Sequence, residues 1–293
     1  MKYAWHTRYG IHIHSKRTGP KYISGRSIGR SRRLGVSATS ANMQRLPLLL
    51  GALSGHFASQ TPCRFAPGAF TPLLPATTTW FSAAGRLNLD FFHRTLSVQE
   101  LGTLVTVESS TPATFEHVSV PFSLLLHYLA LPAPPQGLPD LYLAQTPLLD
   151  MIPALKESIP TPAVVEETGR GDIYATNLWL GRCESINTPL HKDPNPNLFV
   201  QLAGKKRVRI FSPAEGRTIV GDDVARFRAA EEMMLGAARP RLEEVVWGPH
   251  DGKTEAYEVE VGPGDACFVP TGWWHAVKGV GDGVGASVNW WFR

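Results

Sequence analysis

The stretch TPLHKDPNPNLFVQLAGKKRVRIFSP, residues 188–213, joins a candidate ion-binding pair to an alternating strand pattern. His191 and Asp193 are two residues apart, and in an extended strand residues i and i+2 point to the same face. An imidazole and a carboxylate placed in this way can bind one ion together and leave most of its coordination sphere open. A surface histidine beside an aspartate is the alternative, because a chain with 10 His and 25 acidic residues contains about one such pair by chance.

A second stretch, GDACFVPTGWWHAVKG at residues 264–279, supplies a third candidate ligand, His275. Two tryptophans beside a histidine would, on their own, indicate core packing. Together with His191 and Asp193, however, His275 completes a set of two histidines and one carboxylate. This set is typical of a non-heme Fe(II) oxygenase.

These blocks resemble the JmjC-domain proteins of the Fe(II)- and 2-oxoglutarate-dependent oxygenase superfamily, and more narrowly the small stand-alone JmjC hydroxylases. The similarity runs from about Phe65 to Arg293. It is densest over LYLAQTPLLDMIPALKESIP, NLWLGRCESINTPLHKDPNPNLFVQLAGKKRVRIFSP, GDACFVPTGWWHAV and SVNWWF, which follow the order of the family. The resemblance implies a mainly β fold, a double-stranded β-helix of the jelly-roll or cupin type, with flanking helices and a helical insertion.

The resemblance also implies a metal and a cosubstrate. His191, Asp193 and His275 would hold Fe(II) and leave positions for 2-oxoglutarate and O2. Lys206 would pair with the far carboxylate of 2-oxoglutarate, and Thr188 and Tyr142 would add hydroxyl donors, since a carboxylate accepts several charge-assisted hydrogen bonds.

Each of these roles has a plainer alternative. Lys206 is one of three adjacent basic residues, which are most often solvated surface charges, but strand alternation sends it to the face opposite Lys205 and Arg207. Tyr142 also fits an edge strand. Further candidates for the lining of the pocket are Asn197, Phe199 and Asn289 beside the cosubstrate, and Trp179 and Trp274 beside the substrate.

Composition places outer bounds on the protein. With 293 residues the chain can bury a sizeable core, and one domain of about 230 residues is ordinary for an all-β barrel or double-sheet fold. No apolar run reaches the ~18 residues of a membrane helix, so no membrane span is predicted. The three cysteines are too few and too scattered for a disulfide framework or a zinc cluster, and fit a reducing intracellular compartment.

Charge is unevenly distributed along the chain. No acidic residue precedes Asp90, and the 12 Lys and Arg in that span give it a charge of +12, whereas the remainder carries −8. Residues 1–60 are predicted to be a basic, mostly disordered leader and residues 61–293 the JmjC domain. The leader fits a mitochondrial transit peptide, a basic tail that contacts nucleic acid, or a segment upstream of a true start at Met43. Cytosol, nucleus and mitochondrion therefore all stay open as locations.

Several elements follow from local pattern. Thr176–Gly181 and Ala266–Val269 are predicted strands, and Val120–Ala130 has the spacing of a helix. Residues 214–256 are predicted to be a helical insertion, with a helix over Asp222–Ala238 and with Glu243 and Glu244 on a solvated face.

The predicted function is hydroxylation of a protein side chain, of the Arg or Asn type, by an Fe(II)- and 2-oxoglutarate-dependent dioxygenase. The expected partner is a protein or peptide, and nucleic acid is the second choice. Alternatives are hydroxylation of a modified tRNA nucleoside, histone lysine demethylation, and a metal-binding cupin without oxygenase activity. The substrate and the oligomeric state are not determined by the sequence.

Overall fold

The strands of this protein form two facing sheets. The computed structural model describes residues 43–82, 84–111, 114–133, 137–221, 239–249 and 255–293. Pairing between strands is antiparallel, except that the first strand runs parallel to its neighbour. The smaller sheet has five strands in the order β1 (Gln44–Arg45), β10 (Ala256–Val261), β9 (Lys205–Phe211), β12 (Trp274–Val280) and β7 (Asn187–Lys192).

The larger sheet has eight strands and extends beyond the smaller one. This arrangement confirms the prediction of a mainly β fold of the jelly-roll or cupin type, and the predicted strand Ala266–Val269 is confirmed at both ends. The order is β2 (Cys63–Arg64), β11 (Ala266–Val269), β8 (Asn197–Ala203), β13 (Val284–Phe292), β6 (Ile173–Arg182), β5 (Asp140–Thr146), β3 (Leu104–Ser110) and β4 (Phe115–Pro121).

Alternation along the strands divides the core into two sides. In β13, Val288, Trp290 and Phe292 are buried in the main apolar core. Asn289 and Trp291, at the intervening positions, line a cavity on the other face. The period of two therefore separates the face that packs against the helices from the face that lines the cavity between the sheets.

Helices and short turns cover the outer faces of both sheets, with the last two helices on the smaller one. The helix predicted over Val120–Ala130 begins at Phe122, because Val120 and Pro121 still belong to β4. The helices are α1 (Leu53–Ser59), α2 (Ala76–Thr79), α3 (Leu89–Thr95), α4 (Val98–Leu101), α5 (Phe122–Ala130), α6 (Leu148–Met151), α7 (Ala163–Glu166), α8 (Pro213–Val220) and α9 (Arg239–Trp247), with 3-10 turns at Pro153–Ser158 and Cys183–Ser185.

Part of the predicted leader belongs to the folded body. Leu46 and Leu53 are only 1% and 2% exposed, and they pack into two different apolar clusters. Burying these leucines stabilises the fold by roughly 1.5–3 kcal/mol each, which explains why this segment is ordered although its composition is basic. The prediction for residues 1–42 lies outside the described residues.

The insertion predicted at residues 214–256 contains α8 and α9. Ser212 caps α8 by accepting a hydrogen bond from the backbone N–H of Glu215. The predicted helix Asp222–Ala238 lies outside the described residues. In the described part of the chain, no helix has the length and apolarity needed to cross a membrane.

Candidate metal centre

Two neighbouring strands bring the three candidate ligands together. His191 is on β7 and His275 on β12, and the two residues are directly paired in the antiparallel ladder. Asp193 follows the end of β7. Its Oδ1 lies 3.7 Å from Nε2 of His191 and its Oδ2 lies 3.5 Å from Nε2 of His275. One ligand atom from each residue can be chosen so that all lie within 4.8 Å of one another.

Hydrogen bonds orient the ligands. Nδ1 of His191 is 2.8 Å from the carbonyl oxygen of Pro189, so the ring donates there and its Nε2 keeps a free lone pair. The side-chain amide of Asn197 donates to Oδ2 of Asp193 at 2.6 Å. Such outer contacts fix the orientation of metal ligands.

The electrostatics of the site also fit a divalent ion. Burial, and then the proximity of His191, lower the pKa of His275 to about 4, an effect that Asp193 partly offsets. His275 is therefore a neutral imidazole, which is the form that binds metals. Two imidazoles and one carboxylate on one side of a cavity fit the donor set of Fe(II).

Lys206 lies deeper between the sheets. Its side chain is 1% exposed, and its Nζ donates to Oγ of Ser287 at 2.7 Å and to the phenol oxygen of Tyr142 at 3.3 Å. Burial lowers the pKa of Lys206 to about 7. Within the described part of the chain, no carboxylate forms an ion pair with this amine.

Aromatic and hydroxyl groups surround Lys206. Its Nζ lies 5.5–5.9 Å from the ring centroids of Tyr142, Trp179 and Phe199. Burial raises the pKa of the Tyr142 phenol well above its usual value, and the neighbouring Thr188 side chain partly offsets this effect. The amine thus lies among aromatic rings, and the groups to which it donates are hydroxyls.

All the residues predicted for the site, with one exception, line a single cavity. Its apolar wall is formed by Val208, Val269 and Val277. The predicted residues in the lining are Tyr142, Trp179, Thr188, His191, Asp193, Asn197, Phe199, Lys206, His275 and Asn289. Nε1 of Trp179 donates to Oδ1 of Asn289 at 2.8 Å, so these two side chains hold each other in place.

Trp274 is the exception and differs from the prediction that it lines the substrate pocket. It precedes His275 in β12, so strand alternation turns it to the opposite face. There it packs with Leu190 and Phe211, and it lies so close to Gly216 of α8 that a Cβ at that glycine would be 2.0 Å from the indole. Trp274 therefore anchors α8 to the smaller sheet.

Two polar residues near the site were missed by the sequence analysis. Ser287 accepts a hydrogen bond from the amine of Lys206. It lies two residues before Asn289 in the same strand, and this spacing indicates that the two side chains share one face. Glu108 on β3 is directly paired with Tyr142 on β5. Its identification requires the pairing of two strands more than thirty residues apart, which no local pattern reveals.

Glu243 on α9 was predicted to be solvated, but it contacts two side chains of the smaller sheet. Its carboxylate accepts a hydrogen bond from Asn187 at 3.0 Å and pairs with Lys278. Trp247 of the same helix lies against the cationic groups of Arg209 and Lys278. These contacts attach α9 to β7, β9 and β12, the strands that carry or adjoin the candidate ligands.

Comparison with known proteins gives relatives named for a Jumonji C domain, as a lysine-specific demethylase and as an HSPB1-associated protein. Jumonji C domain-containing protein 5 of Drosophila melanogaster is 34% identical over 160 residues, which is 52% of this chain and 36% of that protein. Lysine-specific demethylase 8 of Xenopus tropicalis is 29% identical over 153 residues, 52% of this chain and 32% of that protein. HSPB1-associated protein 1 homolog of Danio rerio is 34% identical over 119 residues, 40% of this chain and 25% of that protein.

The chain thus matches about a third of the length of the first two relatives and a quarter of the third. The family described as the cupin-like domain matches residues 64–293. This range includes every strand of the two sheets except β1 and the first residue of β2. Together with the two-sheet fold and the similarity to JmjC proteins, this match confirms the resemblance noted in the sequence: the chain belongs to the cupin-like domain family, as a JmjC-type member of the cupin superfamily.

Proposed function

We propose that this protein is an Fe(II)- and 2-oxoglutarate-dependent dioxygenase that hydroxylates a protein side chain. The observation that carries the proposal is the presence, in one cavity, of a His-Asp-His ligand set and a buried amine without a carboxylate partner among the described residues. Iron held by these residues would, with O2, supply the oxidative decarboxylation of 2-oxoglutarate to succinate and CO2 that places one oxygen atom in a substrate C–H bond.

The residues of the chain bind and orient the reactants. His191, Asp193 and His275 would hold the iron on one side and leave the cavity side open. Lys206 would pair with the far carboxylate of 2-oxoglutarate, and Tyr142, whose oxygen accepts from the amine, can donate its own proton to the same carboxylate. The apolar lining excludes water, which strengthens these charge interactions.

Glu108 supports a cationic substrate. Directly paired residues of antiparallel strands lie on the same face, so Glu108 lies beside Tyr142 and its charge contributes to the raised pKa of that phenol. Burial raises the pKa of Glu108 to about 7, and it forms no hydrogen bond or ion pair with the described residues. Glu108 lines a neighbouring cavity with Thr106 and His117 and not the cavity of the candidate ligands, so a peptide that spans both cavities would place an arginine against this carboxylate.

Demethylation of lysine is the second candidate, because one of the relatives is named lysine-specific demethylase 8 and a methylated ammonium is also a cation. A nucleic acid substrate is less favoured, since the chain from Asp90 onward carries a net charge of −8. For the cupin without oxygenase activity, the distinguishing feature is a pocket in which Lys206, Tyr142 and Thr188 do not converge. The shared lining of these three residues argues against it.

The test is turnover by the purified chain with Fe(II), 2-oxoglutarate and O2. Succinate should form slowly without substrate and faster with arginine-containing peptides, and mass spectrometry should find one added oxygen on the peptide. Release of formaldehyde from methyl-lysine peptides would favour the demethylase instead. Asp193→Ala is the negative control, and absence of succinate from the wild-type protein under all conditions would contradict the proposal.

A further inference from the structure

The hydroxyl of Ser287 makes the shortest polar contact of the buried amine. Oγ of Ser287 lies 2.7 Å from Nζ of Lys206, whereas the phenol oxygen of Tyr142 is 3.3 Å away. Ser287 is 0% exposed and Lys206 is 1% exposed, so water does not compete for this contact. A hydrogen bond from an amine in such surroundings is stronger than at the surface.

Strand geometry explains how Ser287 reaches the amine. On β13 it is paired with Trp179 of β6 and with Gln201 of β8, and the register of β13 against β8 shifts just before it. Ser287 precedes Asn289 by two residues and therefore shares its inward face. Gly285, two residues earlier still, lies so close to Ile186 that a Cβ would approach that side chain to 2.6 Å. The strand is thus close to its neighbours here, and a serine places a hydroxyl without added bulk.

The contact with Ser287 uses one of the N–H donors of Lys206. A lysine ammonium has three N–H groups and no acceptor. One is directed to Ser287 and one to Tyr142, and the described residues provide no third side-chain acceptor. The third N–H therefore remains for a ligand in the cavity that Lys206 lines. Without Ser287 the flexible four-carbon side chain could rotate its ammonium among several directions.

We propose that Ser287 is a positioning residue for the dicarboxylate cosubstrate: it accepts a hydrogen bond from Lys206 and so fixes the ammonium toward the far carboxylate of 2-oxoglutarate. The inference rests on the proposed function and adds to it a residue outside the ligand set that the resemblance implied. Ser287 acts through Lys206 and contacts neither the metal ligands nor the reacting carbon.

The test compares two oxo acids on the full chain loaded with Mn(II), which replaces iron without turnover. The first is 2-oxoglutarate and the second is 2-oxovalerate, which has the same five-carbon chain but a methyl group in place of the far carboxylate. Calorimetry on Ser287→Ala should show 2-oxoglutarate affinity reduced about threefold to thirtyfold, because the Lys206–Ser287 bond is already made without ligand and its loss acts through the side-chain freedom that binding must then remove. The affinity for 2-oxovalerate and for Mn(II) should change less than twofold.

Controls separate this role from a structural one. Ser109→Ala removes another buried serine, 3% exposed on β3, and should leave both affinities unchanged. Ser287→Cys keeps the volume of the side chain but offers a weak acceptor, so it should weaken 2-oxoglutarate binding as Ser287→Ala does, even where the alanine variant folds poorly. In turnover with Fe(II), KM for 2-oxoglutarate should rise in step with its Kd while kcat stays within about threefold.

Three results would overturn the inference. These are unchanged 2-oxoglutarate affinity in both Ser287 variants, an equal loss for the two oxo acids, and a fall in kcat without a rise in KM. Failure of the proposed function has a different signature, because the wild-type protein would then bind neither oxo acid in the presence of metal and would form no succinate.

Discussion

His191 and His275 face each other across the ladder of β7 and β12, with ring centroids 4.2 Å apart. Direct pairing in an antiparallel sheet is what brings two residues separated by more than eighty positions into one site. Asp193, just past the end of β7, closes the set from the side. The candidate metal centre is therefore built on two adjacent strands of the smaller sheet and does not rely on a mobile loop for its histidines.

Removal of one ligand should abolish metal binding. For Asp193→Ala we expect iron affinity to fall at least a hundredfold and turnover to disappear, because the carboxylate supplies the negative charge of the ligand set. Metal content after dialysis and succinate formation are the measurements. Trp274→Phe, next to His275 but on the opposite face, should keep its metal, and an iron-loaded, active Asp193→Ala protein would contradict the assignment.

Lys206 should be needed for binding of the cosubstrate, and its buried amine should lower the stability of the folded protein. Lys206→Met is expected to weaken 2-oxoglutarate binding more than a hundredfold, yet to raise the melting temperature at pH 7 by several degrees, since a buried amine is replaced by an apolar side chain of similar length. Calorimetric titration and thermal unfolding test the two parts. A variant that loses both the ligand and its fold would refute this account.

The pH dependence of stability should differ between the wild-type protein and Lys206→Met. In the folded protein the pKa of Lys206 is lowered from 10.5 to about 7, so between these values the unfolded chain binds more protons than the folded one. The wild-type protein should therefore gain stability relative to the variant as the pH rises from 7 toward 9.5. Denaturant unfolding at several pH values measures the difference, and a constant difference would show that the amine is not perturbed.

The fold and most of the site could be predicted because their signals are local or belong to the family. A period of two around Lys206 predicted its inward direction, and the spacing of His191 and Asp193 predicted a shared side. Adjacent residues of a strand point to opposite faces. This alternation gave the correct direction for Lys206, but it was not considered for Trp274, which was therefore wrongly assigned to the pocket. Glu108 needed the register of distant strands, which the sequence does not contain, whereas the inward direction of Ser287 follows from its spacing of two from Asn289.

Neutralising Glu108 should affect the peptide and not the cosubstrate. We expect Glu108→Gln to reduce kcat/KM for an arginine peptide about tenfold or more, because the bidentate contact with a guanidinium loses its charge, while substrate-free succinate formation stays within twofold. Glu116→Gln, an exposed position on the neighbouring strand β4, is the matched control. Equal activity of the two variants on basic peptides would remove the argument for a cationic substrate.

The attachment of α9 should contribute measurable stability through Glu243. Glu243→Gln removes the charge that pairs with Lys278 and weakens the acceptor for Asn187, so we expect the free energy of unfolding to fall by about 1 kcal/mol. Glu244→Gln, on the adjacent exposed position of the same helix, should change it by less than about 0.5 kcal/mol. Because Asn187 directly precedes Thr188, a loosened α9 should also raise KM for 2-oxoglutarate, by about twofold to threefold. If Glu244→Gln lowers the free energy of unfolding as much as Glu243→Gln does, the loss comes from the charge of the helix and not from its contact with β7 and β12.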